Sequence, residues 1–344
     1  MTTANLAVVP PGSVRPVPWH RLGWVVWRRY RPTILATLAV LGLVGVYLIT
    51  TGLQIRSAWH AVQACTPQQS SACNFAWTSF KNSHSNPGII SALFLFAPLL
   101  VGAFTGGPLL GRELETGTFR YAWTQGVGRA RWAIAMVLSG ALVVAVLAGG
   151  FGGLIAWHDR PLWQADITPR LQASEFPSTG VAVIGWALAA YAIGLIAGLL
   201  LRRALPAFGV ALLATFGLAF AASKLRLHYL PALRTSSLDY ISGSQTLSQW
   251  WEKAGNTIST TQLNAVLRTA GLQQIETGGG SEGVSPGNGA DPTTFLLHHG
   301  YTQWTSYQPD HRYWTFQWIE FGWLTVLAVL LLAATLLLLR HRDA

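Results

Sequence analysis

Side chains able to bind phosphate, hold a metal or act as nucleophiles are sparse in this chain. Its three lysines are Lys81, Lys224 and Lys253, preceded by Phe80, Ser223 and Glu252. A phosphate-binding P-loop needs a Gly-Lys-Ser/Thr triplet, so that backbone N–H groups and the lysine reach the nucleotide phosphates. No lysine stands in that setting, so ATP hydrolysis by that route has to come from another chain. His298 and His299 are adjacent, and His311 follows. Adjacent imidazoles share an ion less readily than a helical i, i+4 pair. With no cysteine or acidic cluster to complete a set, they read as solvated loop histidines. No metal is expected, and no catalytic residue is assigned.

The two cysteines, Cys65 and Cys73, are the whole thiol inventory. They fall between two apolar runs, and a disulfide between them is expected if that loop faces an oxidising compartment. The densest cluster of charge and turn residues is GRELETGTFRYAWTQGVGR, residues 111–129. It is short and framed by apolar runs. Gly117 and Gly126–Gly128 permit bends, and the stretch suits a brief helix lying against a partner protein.

Such a loop has to be positioned by its flanks, and these are apolar. Charged residues make up only 10% of the chain and hydrophobic ones 51%; soluble proteins average about 25% charged. An ordinary soluble enzyme and a disordered chain are both excluded. Six runs reach the roughly 20 residues a helix needs to cross a bilayer: 33–53, 89–110, 132–156, 181–201, 204–222 and 321–339. None has Asp, Glu, Lys or Arg in its interior. Carriers coupled to protons or ions usually keep ionisable groups in the membrane, so a secondary transporter is disfavoured. Arg202, Arg203 and Pro206 mark a tight hairpin between the fourth and fifth runs.

Lys and Arg set the orientation. With the N-terminus inside, 13 of the 23 basic residues and three of the 13 acids fall on the inner side. The whole net charge of +10 then sits on that face. This predicts N-in and C-in topology and a multi-pass protein of the plasma membrane. Attraction to anionic lipid accounts for the basicity without nucleic acid.

The remaining segments divide the chain. Residues 1–31 form an inner tail ending in WHRLGWVVWRRYR, an amphipathic helix lying at the interface and ended by Pro32. Residues 32–222 hold the first five spans and the 111–131 loop. Residues 223–318 form an outside segment, expected to be a mostly helical cap. In it Leu263, Val266, Leu267 and Ala270 share a helix face, with Gly271 as C-cap, and Trp250 and Trp251 belong to a preceding short helix. The aromatic tract 301–323 reads as an interfacial belt leading into the last span, and 319–344 completes the chain. Gly102 and Gly106, Gly149 and Gly153, and Ala190, Gly194 and Gly198 recur at four-residue spacing, which lets helix backbones approach closely. The expected fold is all-α with six transmembrane helices.

The stretch Arg-Glu-x-Glu-x-Gly-Thr at 112–118, followed by Arg129, resembles the loop between the second and third spans of ABC-2 type ABC transporter permeases. It is especially similar to those of high-G+C Gram-positive bacteria. The resemblance extends over the six spans and the N-terminal surface helix. It implies that the loop is a coupling helix docking on a separate ATP-binding subunit, with Arg112, Glu113, Glu115, Gly117, Thr118 and Arg129 in the matching positions. It further implies an exporter built from two copies or from this chain and a paralogue, in contact with membrane lipids, with ATP and Mg held by the partner subunit and no cofactor in this chain. An amphiphilic or apolar substrate is expected, such as a drug, an antibiotic or a lipid-like molecule. Two competing readings are a sensor or immunity protein binding a ligand through the outside segment without transport, and a membrane enzyme acting on lipid.

Overall fold

The computed structural model describes residues 19–66, 70–84, 100, 104–108, 111, 115, 129–236, 242–272 and 292–341. It is mostly helical. The helices are α1 (Trp19–Gln63), α2 (Ser71–His84), α3 (Arg129–Gln164), α4 (Ala182–Leu201), α5 (Ala204–Arg226), α6 (Thr260–Thr269), α7 (Pro292–His298) and α8 (Tyr313–His341). Among the described residues five helical segments are long and apolar enough to cross a membrane, in α1, α3, α4, α5 and α8. The expected second span, 89–110, lies mostly outside the described residues; 104–108 within it is helical.

α4 is apolar on every side, and such a helix must be buried in protein or in lipid. It takes the first course. Of its most apolar window 72% is buried in the protein, against 17–22% for the other four. α3, α5 and α8 pack around it. Trp186, Ala189, Phe316 and Leu324 build one core cluster, and Met136, Val137, Tyr191 and Leu195 build another. α1 lies outside this group, against α3 through Leu48 and Ile155. The disulfide Cys65–Cys73, with 5.6 Å between Cα atoms, joins the end of α1 to the start of α2.

Small residues set how closely the helices approach. An added Cβ on Gly194 would lie 2.7 Å from the Gly107 backbone nitrogen, and one on Gly106 would meet the Tyr191 carbonyl. Gly149 faces Ile184 of α4 at 3.2 Å, whereas Gly153 has open space beside it. Gly198 is buried, and Gly102 lies outside the described residues. The four-residue spacing missed Gly140, Gly152 and Gly185. Their added Cβ atoms would meet Tyr191, Val183 and Leu324.

The structure corrects four expectations. The helix does not break at Pro32: α1 runs through it as one element of 45 residues. A proline forfeits one backbone hydrogen bond and kinks a helix without always ending it. The outside segment is not mostly helical. It holds an antiparallel sheet in the order β1-β4-β2-β3, from Leu233–Thr235, Gln245–Lys253, Asn256–Ile258 and Tyr301–Gln308. Trp250 and Trp251 lie in β2, and Trp250 pairs with Trp304 across to β4; paired aromatics suit a half-buried pleated surface. Ala254 and Gly255, both at positive φ, turn β2 into β3, as a two-residue hairpin with a right-handed twist requires. The aromatic tract is correspondingly divided. Tyr301–Gln308 is strand, and Tyr313 and Phe316 are buried in protein.

The expected helix in this segment is α6. Ser259 caps it in a reciprocal box with Gln262, which satisfies two otherwise orphaned donors. Leu263 and Leu267 are buried against Trp251, Leu296 and Tyr301, and Val266 is half-buried. Ala270 is exposed, so the apolar face is narrower than its spacing suggested. Ala270 is the C-cap, and Gly271 follows at φ +70°.

Gly194→Ala should lower stability by about 1–3 kcal/mol, the usual cost of overpacking, seen as a reduced melting temperature in mild detergent. Gly153→Ala should be neutral or raise it slightly, since alanine suits a helix better by up to about 1 kcal/mol. Equal effects at both sites would contradict the close contact at Gly194.

Candidate functional site

Both ends of α4 carry polar contacts. At its C-terminus Arg202 closes the helix in a left-handed conformation (φ +53°), donating its N–H to Gly198 at 3.0 Å. α5 starts at Ala204, and its N-cap Arg203 contributes no side-chain cap. The cap comes from far along the chain: Glu115 Oε2 accepts the Ala204 N–H at 3.2 Å. A carboxylate suits the positive end of a helix dipole. Gly111 lies against the same turn, where an added Cβ would come within 3.0 Å of the Ala204 Cα. Gly111 and Glu115, both near the start of the 111–131 loop, therefore touch the hairpin between α4 and α5. Arg112, Glu113, Gly117 and Thr118 lie outside the described residues. Arg129 is the first residue of α3.

At the other end the first N–H of α4, on Ala182, donates to Gln317 Oε1 of α8 at 2.8 Å. Gln317 Nε2 donates to the Phe176 carbonyl at 3.1 Å. One turn on, Glu320 is fully buried and accepts four donors. They are Arg226 Nε and Nη2, each at 2.8 Å, Trp186 Nε1 at 2.7 Å and the Tyr229 hydroxyl at 3.4 Å. The Arg226 guanidinium lies 4.3 Å from the centre of the Phe176 ring. Burial, followed by the Glu320 charge, pushes the Tyr229 phenol up to about 12.

This pair corrects the expectation that the bundle buries no charge. The helices outrun their apolar runs: α5 continues to Arg226, and α8 begins at Tyr313. Residues that look terminal in hydropathy are thereby carried inside.

A second polar cluster escaped the sequence reading, which found no acidic or histidine pair at a boundary. α3 continues to Gln164, eight residues past its expected end at 156. His158 Nδ1 lies 2.6 Å from Asp159 Oδ1, and His158 Nε2 lies 3.0 Å from Thr51 Oγ1 of α1. Thr51 donates its own hydroxyl proton to the Tyr47 carbonyl at 2.8 Å. The trio ties α1 to α3. Glu175 is buried beside Asp159, and burial, followed by that neighbouring charge and its hydrogen bond, raises its carboxyl to about 8. At neutral pH it is mostly protonated. The signal was weak because Asp159, in the last turns of α3, and Glu175, in the loop that follows, are 16 positions apart. Among the described residues no group of three His, Cys, Asp or Glu is placed to hold a metal.

A family model described as ABC-2 membrane transporter related matches residues 26–226, more than half of the chain. The match runs from α1 to the last residue of α5, so the sheet and α8 lie beyond it. No curated protein and no solved structure matches the chain.

Arg226→Met should destabilise the bundle by about 3–5 kcal/mol, because it strands a buried carboxylate. Adding Glu320→Leu should recover part of that loss, and thermal unfolding of both variants in detergent checks the sign. Glu175 makes a separate pH prediction. Its folded value is raised from 4.5 to about 8, so between these limits the folded chain holds a proton that the unfolded chain has released. Stability is fullest below about 4.5 and declines as pH rises through about 8. Glu175→Gln should flatten that decline in melting curves taken across the interval.

Proposed function

The chain belongs to the ABC-2 membrane transporter related family, and from that premise we propose that it is the membrane subunit of an ABC exporter. A separate ATP-binding subunit supplies the energy and holds ATP and Mg. Two copies, or this chain and a paralogue, form the pathway in the plasma membrane. The proposal keeps six spans with both termini inside, the sixth being 89–110, because that arrangement gathers the net charge of +10 on one face.

One observation carries the reading. Glu115, near the start of the 111–131 loop, caps α5 beside the turn that ends α4. A subunit that pulls on this loop pulls on the start of α5 and, through the two-residue turn at Arg202 and Arg203, on the central helix α4. α4 is held at its far end by Gln317 and Glu320, so it transmits displacement along its length. ATP-dependent closure of the partner then favours one arrangement of the spans over another, and only such a differential preference can shift an equilibrium. The exposed faces of α1, α3, α5 and α8 offer aliphatic and aromatic surface, including Leu43, Leu142, Phe216 and Leu330. An amphiphilic or apolar substrate fits them. The buried ion pair is saturated by its own donors and is not a substrate contact.

Glu113→Lys with Glu115→Lys should leave insertion intact and cut copurification of the ATP-binding subunit by about tenfold or more, which is about 1.4 kcal/mol. Gly117→Pro should weaken docking further, since proline fixes φ and removes a donor. Normal docking and normal substrate-stimulated ATP hydrolysis in vesicles for the double variant would refute the coupling role. Topology is checked separately. Single-cysteine labels at Ser13 and Asp343 should react from the cytoplasm and one at Gly279 from outside; outside labelling at Ser13 would overturn the orientation.

A further inference from the structure

The loop between α3 and α4 is fastened to the bundle through a pair of carboxyl groups. Glu175, in the loop, is 8% exposed and hydrogen-bonds to Asp159 in the last turns of α3. We propose that these two carboxyls hold one proton between them, and that the proton is a pH-sensitive latch fixing the loop that seats α4 to the end of α3. The inference does not depend on coupling to an ATP-binding subunit.

The chemistry of the pair sets its states. Two carboxylates at hydrogen-bond distance repel, and a carboxyl can donate to its neighbour only while it keeps its proton. Asp159 has a second partner, because its Oδ1 lies 2.6 Å from His158 Nδ1. Burial, followed by the Asp159 charge, raises the Glu175 carboxyl, so the proton resides there. The Asp159 and His158 side chains are each 13% exposed, which leaves the proton a route to solvent.

Other charged and titratable groups surround the pair. On α3 they are His158 and Arg160. On α1 Thr51 reaches His158, and Arg56 donates to the Trp157 carbonyl. In the loop Arg170 pairs with Asp310. On α8 Tyr313 lies within electrostatic reach of Glu175, Arg170 and Asp310. Histidines titrate near neutrality, so the test has to separate His158 from Glu175.

What the latch holds is the seat of α4. Glu175 immediately precedes the turn Phe176–Ser178. Its carbonyl accepts the Ser178 and Thr179 hydroxyls at 2.9 and 3.0 Å, and Thr179 Oγ1 lies 2.9 Å from the Tyr313 hydroxyl. The Phe176 carbonyl accepts from Gln317, the residue that also holds the first N–H of α4. A second negative charge at Glu175 is repelled by Asp159 and favours the side chain in water. The turn that carries these contacts then moves with it.

The test uses the full chain in mild detergent and hydrogen exchange read by mass spectrometry, expressed as protection factors so that the intrinsic pH dependence of exchange cancels. Opening the latch releases the Glu175 proton across the interval from 4.5 to about 8. Protection of peptides within 171–181 should fall by up to about tenfold per pH unit over that interval and level off above it. At its end the loop should be at least about tenfold less protected than the buried middle of α4, residues 186–195. Glu175→Gln keeps the shape and a donor without a titrating proton, and should flatten the fall. Asp159→Asn removes the charge that faces Glu175, and should end the fall at a lower pH. A flat profile in the unaltered chain overturns the proposal. So does a fall that persists in Glu175→Gln, because His158 or another group then titrates. If the loop matches the middle of α4 at every pH, it opens only with the whole bundle, and there is no latch.

Discussion

The bundle depends on a charge placed where charge is expensive. Glu320 is fully buried and Arg226 is 2% exposed, and moving either ion out of water costs several kcal/mol that attraction alone seldom returns. The pair persists because its lone pairs and protons are used. Glu320 takes Arg226 in a two-point grip and then accepts from Trp186 and Tyr229. These four donors stand on α4, on the end of α5 and just beyond it, so one carboxylate on α8 fixes the mutual position of three helices. Apolar contacts could pack them in several rotations. A saturated carboxylate accepts one.

The same constraint explains why α4 is central. Its sequence, AVIGWALAAYAIGLIAGLLL, has no polar face to turn toward anything. Packing alone leaves its rotation loosely defined. Trp186 Nε1 on Glu320 fixes the rotation, and Ala182 N–H on Gln317 fixes the height. Gly194 admits the backbone of Gly106 and Gly107 at a distance no side chain permits.

Hydropathy read five of the six expected spans, those that the described residues show, because bilayer thickness imposes a length that composition alone reveals. The helix at 260–269 was equally legible, since its two leucines and its C-terminal glycine are local signals. What escaped depends on pairing between distant positions. Arg226 and Glu320 are 94 residues apart, and each taken alone looks like an ordinary flank of an apolar run. The sheet escaped because β1 and β3 are three residues each, and β4 pairs with β2 only after a long intervening segment. Glu115 was singled out through a family resemblance. Its cap on Ala204, 89 positions away, has no counterpart in any local pattern.

The two ends of α4 are held by different kinds of contact, and the difference has a mechanical consequence. At the sheet end the restraints are buried, charge-assisted and mutually saturated, so loosening one leaves an unpaired group in a low dielectric. At the other end the Ala204 N–H, the first of α5, donates to the exposed Glu115, and water can replace that bond at little cost. A disturbance at the turn between α4 and α5 is thus cheap, while the far end resists it. Under the proposed coupling, an input at the 111–131 loop acts at the end of the bundle opposite Glu320.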